Sequence, residues 1–192
     1  MASLAPISGT LGKQRAAHLL RRATMGPRLQ DINAFSSLTA QAAFNALVQN
    51  DPIPAFPKDP NTGTDWIYPN VPDPTQINDI WSDLTKCWWL CNVKNSGPNL
   101  TERMLWFYHT HIPVIMTRIS WNPQLAIDYL RVLRHYSLGN YKDLVKAMCI
   151  DNAMLIHLDG NLNIKSVPQE NFGREFLELF TVGKGPEVSL GD

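Results

Sequence analysis

This sequence predicts an all-α fold, an irregular multi-helix bundle interrupted by one proline-rich extended excursion. Three observations predict it. Apolar residues recur at spacings of three and four in nearly every periodic segment. Capping residues bracket those segments, most plainly in "NPQLAIDYLRVLRHYSLG", with Asn122 to cap, Pro123 at the first position and Gly139 to close. No segment alternates apolar and polar residues long enough to make a strand, and no repeat of solenoid period is present. With 192 residues the chain can bury one sizeable core, and a single helical domain over residues 1–192 is expected.

The elements follow in order. "GKQRAAHLLRRAT" places Ala16, Leu19, Leu20 and Ala23 on one helical face. "GPRLQDINAF" restarts near Pro27 with a stripe of Leu29, Ile32 and Phe35, and Thr39 can cap the next helix, "LTAQAAFNALVQ". Residues 51–75 then hold half of the chain's 14 prolines, which excludes regular helix or central strand. Phe56, Trp66 and Tyr68 are expected to pin this excursion to the surface.

Helix returns at "TQINDIWSDLTKCWWLCNV", with Ile77, Ile80, Trp81, Leu84, Trp88 and Cys91 expected on one side. Asn99 and Glu102 have capping-box spacing for "LTERMLWFYHTH", which should end near His111 because Pro113 follows. Asn140 opens "YKDLVKAMCI", and a polar loop, "LDGNLNIKSVP", leads to "QENFGREFLELF", which Gly183 ends.

Composition excludes some functions. The formal net charge is zero, which argues against a broad electrostatic footprint for nucleic acid or an anionic membrane. Lys13, Arg15, Arg21, Arg22 and Arg28 gather near the start and read as a solvated helix face. No apolar run approaches the roughly 20 residues of a membrane helix. The first segment lacks a basic stretch followed by an apolar one, so no export signal is expected in it, and the compartment stays open. Three cysteines do not suggest a disulfide framework, and Cys87 and Cys91 in "CWWLC" read as buried apolar thiols.

His109 and His111 in "FYHTHI" raise the question of metal binding. At about 100° per residue, two helical residues i,i+2 point to nearly opposite sides, so the spacing argues against a two-histidine grip on one metal. His111 can instead complement the helix C-terminus, and His109 can be a hydrogen-bonded core residue. His18, His135 and His157 have no partner in sequence and read as structural.

The last helix turns Phe172, Phe176, Leu179 and Phe180 to one side. On the other it sets Asn171, Glu175 and Glu178 in a stripe with Arg174 beside them. Glu170 and Arg174 have the spacing of an ordinary surface pair. Glu175 and Glu178 repel one another unless water, an arginine or a divalent metal lies between them. Gly173 in mid-helix costs about 1 kcal/mol against Ala and can admit a closely packed backbone. The loop before it offers Asn161, Asn163, Lys165 and Ser166, either as a binding rim or as turn and cap chemistry.

"AAHLLRRATMGP", "ERMLWFYHTHI" and the long block from Leu133 to Gly185 resemble, in order, the bacterial family known as domain of unknown function 1800. The resemblance implies the N-terminal part of a larger domain, in proteins often exported and often encoded beside a second family similar to sulfatases and alkaline phosphatases. It brings no agreed activity. The family's aromatic–His–Asn–His segment is matched by His109 and His111, with Thr110 for the Asn. Its Asn-Glu-Asn segment is matched by Glu170 and Asn171, with Gln169 for the first Asn. Met25 stands where the family usually has Phe.

Two functions compete at this level. One is a helical scaffold or binding module in which a His/Asn/Glu network orients Asn161, Asn163, Lys165, Glu170, Asn171 and Arg174. Its partner would be another protein or the remaining part of the same domain. The alternative is a hydrolase-like enzyme acting on an extracellular polymer. It would use His109 or His111 with Glu175 and Glu178 as acid/base groups or as ligands of a divalent metal.

Overall fold

The structure is a computed structural model that describes residues 7–49, 51–59, 62–65, 79–120 and 122–183, with the backbone alone at residues 79–82. Nine α-helices and no strand occur among the described residues, in agreement with the all-α expectation. They are α1 Gly12–Ala23, α2 Leu29–Ser36, α3 Ala40–Leu47, α4 Asp79–Asn95, α5 Thr101–His111, α6 Pro123–His135, α7 Tyr141–Met148, α8 Asn152–His157 and α9 Glu170–Phe180.

The caps work as the residue types require. Thr39, Asn122, Asn140 and Asp151 each accept a backbone N–H from the first turn that follows. The capping box of α5 forms only in part. Asn99 Oδ1 accepts from the Thr101 N–H at 2.6 Å, but Glu102 turns inward and is fully buried. The Arg134 guanidinium supplies the reason, because it pairs with the Glu102 carboxylate inside the bundle.

Two apolar clusters organise the chain. The smaller joins α1, α2 and α3 through Leu11, Ala16, Leu20, Phe35, Ala43 and Leu47. Leu29 departs from the expected stripe and is 73% exposed, whereas Asp31 two residues on is buried and paired with Arg28. The larger cluster gathers α5 to α9 around Leu105, Tyr129, Leu133, Leu144, Met148, Met154 and Phe176. The Leu100 N–H donates to Leu47 O and the Asn99 amide to Gln49 O, tying the two clusters together.

The proline-rich excursion is held as expected at Phe56, which packs beside Leu84, Trp88 and Ile127 under the Arg131 guanidinium, 4.2 Å from its ring centre. The Trp88 indole N–H donates to Ala55 O at 3.0 Å. Trp66, Tyr68 and Ile77, and the side chains of Ile80 and Trp81, lie outside the described residues.

Helix α4 corrects the reading of the cysteines. Its inward face runs through Thr85, Trp88 and Trp89, and Cys87 and Cys91 are exposed. Cys87 lies roughly 160° and Cys91 roughly 120° from Thr85 around the helix, off the packed face.

Helix α9 buries Phe176 and Phe180, with Phe172 packed against the same core, but Leu179 is 59% exposed. The buried row is one residue wide, at i, i+4 and i+8, and Leu179 falls at its edge on the last turn. Gly173 admits no close neighbour either, since nothing lies within 4 Å of where a Cβ would stand. The close approach is at Gly160, where a Cβ would meet Phe172 Cδ2 at 2.6 Å and Leu155 Cδ2 at 2.9 Å.

Candidate functional site

The two histidines of α5 point away from one another, as their spacing requires. His109 Nδ1 lies 3.0 Å from the Tyr129 hydroxyl on α6. That hydroxyl donates its one proton to Ile112 O at 2.8 Å, the residue that caps α5. Burial pushes the Tyr129 phenol far up, so it stays protonated and can only accept from the imidazole. Nδ1 therefore carries the ring proton and donates. Burial also lowers the His109 value, which favours the neutral ring.

His111 repeats the pattern on the opposite side. Its Nε2 lies 3.3 Å from the Tyr141 hydroxyl, which donates to Phe180 O at the end of α9. The Tyr141 phenol is also pushed up by burial. His111 stacks on Phe107 with ring centres 5.9 Å apart. Each histidine thus donates to a tyrosine that passes its own proton to a backbone carbonyl at a helix end. The C-terminal turn of α5 is fastened to α6 on one side and to α7 and α9 on the other. These carbonyls are among the acceptors that a helix leaves without an intrahelical donor.

His109 also belongs to an aromatic wall. Trp89 meets it edge-on with ring centres 5.2 Å apart, and Trp106 stacks on Trp89 at 5.5 Å. The Trp89 indole N–H donates to Glu102 Oε2 at 3.3 Å. Glu102 pairs with Arg134, and Arg134 reaches Asp51 Oδ2 at 3.3 Å in the proline-rich segment. One chain of contacts therefore runs from the excursion through Arg134, Glu102 and Trp89 to His109, Tyr129 and the end of α5.

Beside His109 a cavity of about 190 Å³ opens between α4, α5, α6 and the loop carrying Met116. Its wall is almost wholly apolar, with Trp89, Ala126 and Leu130 on it, and the exposed Lys86 also lines it.

Glu175 and Glu178 lie elsewhere. Arg174 sits between them, 3.6 Å from each carboxylate, and its guanidinium also donates to Asn171 Oδ1. It does not pair with Glu170, because it turns toward the other two carboxylates. Among the described residues no ion pair joins His109 or His111 to Glu175 or Glu178, and no three metal-ligating side chains gather. The histidine that feels Glu175 is His157, on α8. Its Nδ1 is buried without a hydrogen-bond partner among the described residues, and burial and Arg118 lower its value against the fields of Glu175 and Asp159.

In the loop, Asn163 does turn chemistry. Its amide donates to Gly160 O at 2.9 Å and its Oδ1 accepts from the Gln169 N–H at 2.6 Å. Asn161 and Lys165 are exposed on the same loop, and Glu170 is exposed at the first turn of α9.

Tyr129 and Arg134 escape a reading of the sequence because each looks like ordinary helix interior, and Tyr141 because it looks like the ordinary first residue of a capped helix. The signal that was present is at α5. Two histidines on opposite faces of one turn need two separate acceptors, and a tyrosine on each neighbouring helix supplies them.

A family model described as protein of unknown function (DUF1800) matches residues 18–188. No curated protein and no solved structure matches the chain.

Proposed function

This chain belongs to the DUF1800 family of proteins of unknown function, and we propose that it works as a helical binding module rather than as an enzyme. The observation that carries this reading is the use of both α5 histidines as hydrogen-bond donors to tyrosines that bond helix-end carbonyls. An imidazole spent in this way orients helices. The Arg174 bridge across Glu175 and Glu178 supports the same reading, since it balances the two carboxylates without a metal.

The partner would be another polypeptide, either a separate protein or a further part of the family domain. It would cover the outer side of the α8–α9 loop, where Leu162, Ile164 and Val167 are each more than half exposed. A hydrolase built on these residues would run through His157 with Glu175 rather than through the α5 pair.

Elemental analysis of the purified chain, with thermal unfolding of His109→Ala and Glu175→Ala, tests the reading. The module contains no stoichiometric metal. His109→Ala lowers Tm by several degrees, about what a loss of 1–3 kcal/mol gives in a chain of this size, and Glu175→Ala changes it little. Stoichiometric metal that disappears in both variants while both remain folded would overturn the proposal in favour of the enzyme.

A further inference from the structure

The cavity beside His109 has the properties of a ligand site. Its volume, about 190 Å³, exceeds the roughly 150 Å³ at which an engineered apolar cavity takes up benzene. Its wall offers Trp89, Met116, Ala126 and Leu130 to a guest, so an apolar ring loses water contact on several sides at once.

His109 lines the cavity and keeps one ring nitrogen uncommitted. Nδ1–H is committed to Tyr129, and the Tyr129 proton is committed to Ile112 O. Nε2 is left as an acceptor. It has no hydrogen-bond partner among the described residues, and it is not one of the buried atoms sealed from solvent without one. The ring is held by Trp89 and Tyr129 on two sides, so its acceptor is presented in a fixed direction. A guest that matches this wall is an apolar ring carrying one hydroxyl donor.

We propose that this cavity binds a small neutral hydroxylated ring, a phenol or a cyclic alcohol of one ring, with the hydroxyl donating to His109 Nε2. The site is separate from the partner face on the α8–α9 loop; both proposals take the ring proton of His109 to be on Nδ1, and phenol binding and metal content test them by different readouts.

The test is a calorimetric or NMR titration of the whole chain with phenol, and with toluene as a ring of similar size lacking the donor. Phenol binds saturably and about five- to tenfold more tightly than toluene, the worth of one neutral hydrogen bond. His109→Phe removes the preference and brings the two affinities together. Ala126→Leu, which fills the cavity from α6, abolishes binding of both while the far-ultraviolet circular dichroism and cooperative unfolding are retained. Equal binding of phenol and toluene to the unaltered chain overturns the proposal. So does an absence of saturable phenol binding, or phenol binding that survives Ala126→Leu. If either variant fails to fold, the phenol-to-toluene ratio and the NMR shifts at His109 in the unaltered chain decide.

Discussion

Tyr129 is 2% exposed, and its hydroxyl joins the side chain of one helix to the end of another. Replacing it by Phe leaves the Ile112 carbonyl and the His109 Nδ1–H without partners in a buried place. That change should cost about 1–3 kcal/mol in urea unfolding. Tyr141→Phe removes the equivalent bond at an exposed position, where water can replace the hydroxyl, and should cost less, about 0.5–1 kcal/mol. The histidines add a pH dependence. Burial lowers the values of His109 and His157 below the ordinary 6.5. Below that value the unfolded chain takes up protons before the folded one does. Stability should therefore be full above the ordinary histidine value and fall as pH drops through it toward the folded values. Asp151 opposes this at lower pH, because burial raises its carboxyl value and protonation favours the folded chain. Urea midpoints measured across the histidine range should show the slope, and His109→Gln should reduce it.

The helices themselves were largely legible, because caps and apolar spacing are local signals. Asn122-Pro123 and Asn140 start α6 and α7 as their residue types require, and Pro113 follows the end of α5. What a helix wheel cannot supply is which of two candidate faces meets a neighbour. On α4 the tryptophans follow the packing, and the cysteines beside them turn outward. A thiol reagent should accordingly label Cys87 and Cys91 quickly in the folded chain and Cys149, which is half-buried with a raised value, slowly. The glycines show the same limit. Gly173 stands open, so Gly173→Ala should stabilise the chain by up to about 1 kcal/mol through helix propensity. Gly160→Ala should destabilise it, because Phe172 and Leu155 occupy the space a Cβ needs. Denaturant unfolding of the two variants separates these outcomes by sign.

At the scale of the molecule, the buried pair of Glu102 and Arg134 fastens the proline-rich segment to the bundle through Asp51. No spacing rule connects residues 51, 102 and 134, which is why the network that exists was not legible while the carboxylates of α9 were conspicuous. Removing one partner, as in Glu102→Leu, leaves the buried guanidinium with Asp51 as its one remaining carboxylate partner among the described residues and should cost about 3 kcal/mol, the low end for a broken buried pair. Glu102→Leu combined with Arg134→Met should cost less than the sum of the two single changes in a double-mutant cycle. Trp89 links this pair to His109, since its indole nitrogen binds Glu102 and its ring meets the imidazole edge-on. The direction of the His109 proton underlies both the reading of the histidines as helix fasteners and the cavity's acceptor. Long-range nitrogen–proton NMR correlation of the His109 ring, at a pH where it is neutral, reports that direction. A protonated Nδ1 with an unprotonated Nε2 is the predicted result; a proton on Nε2 with Nδ1 bare would contradict the account.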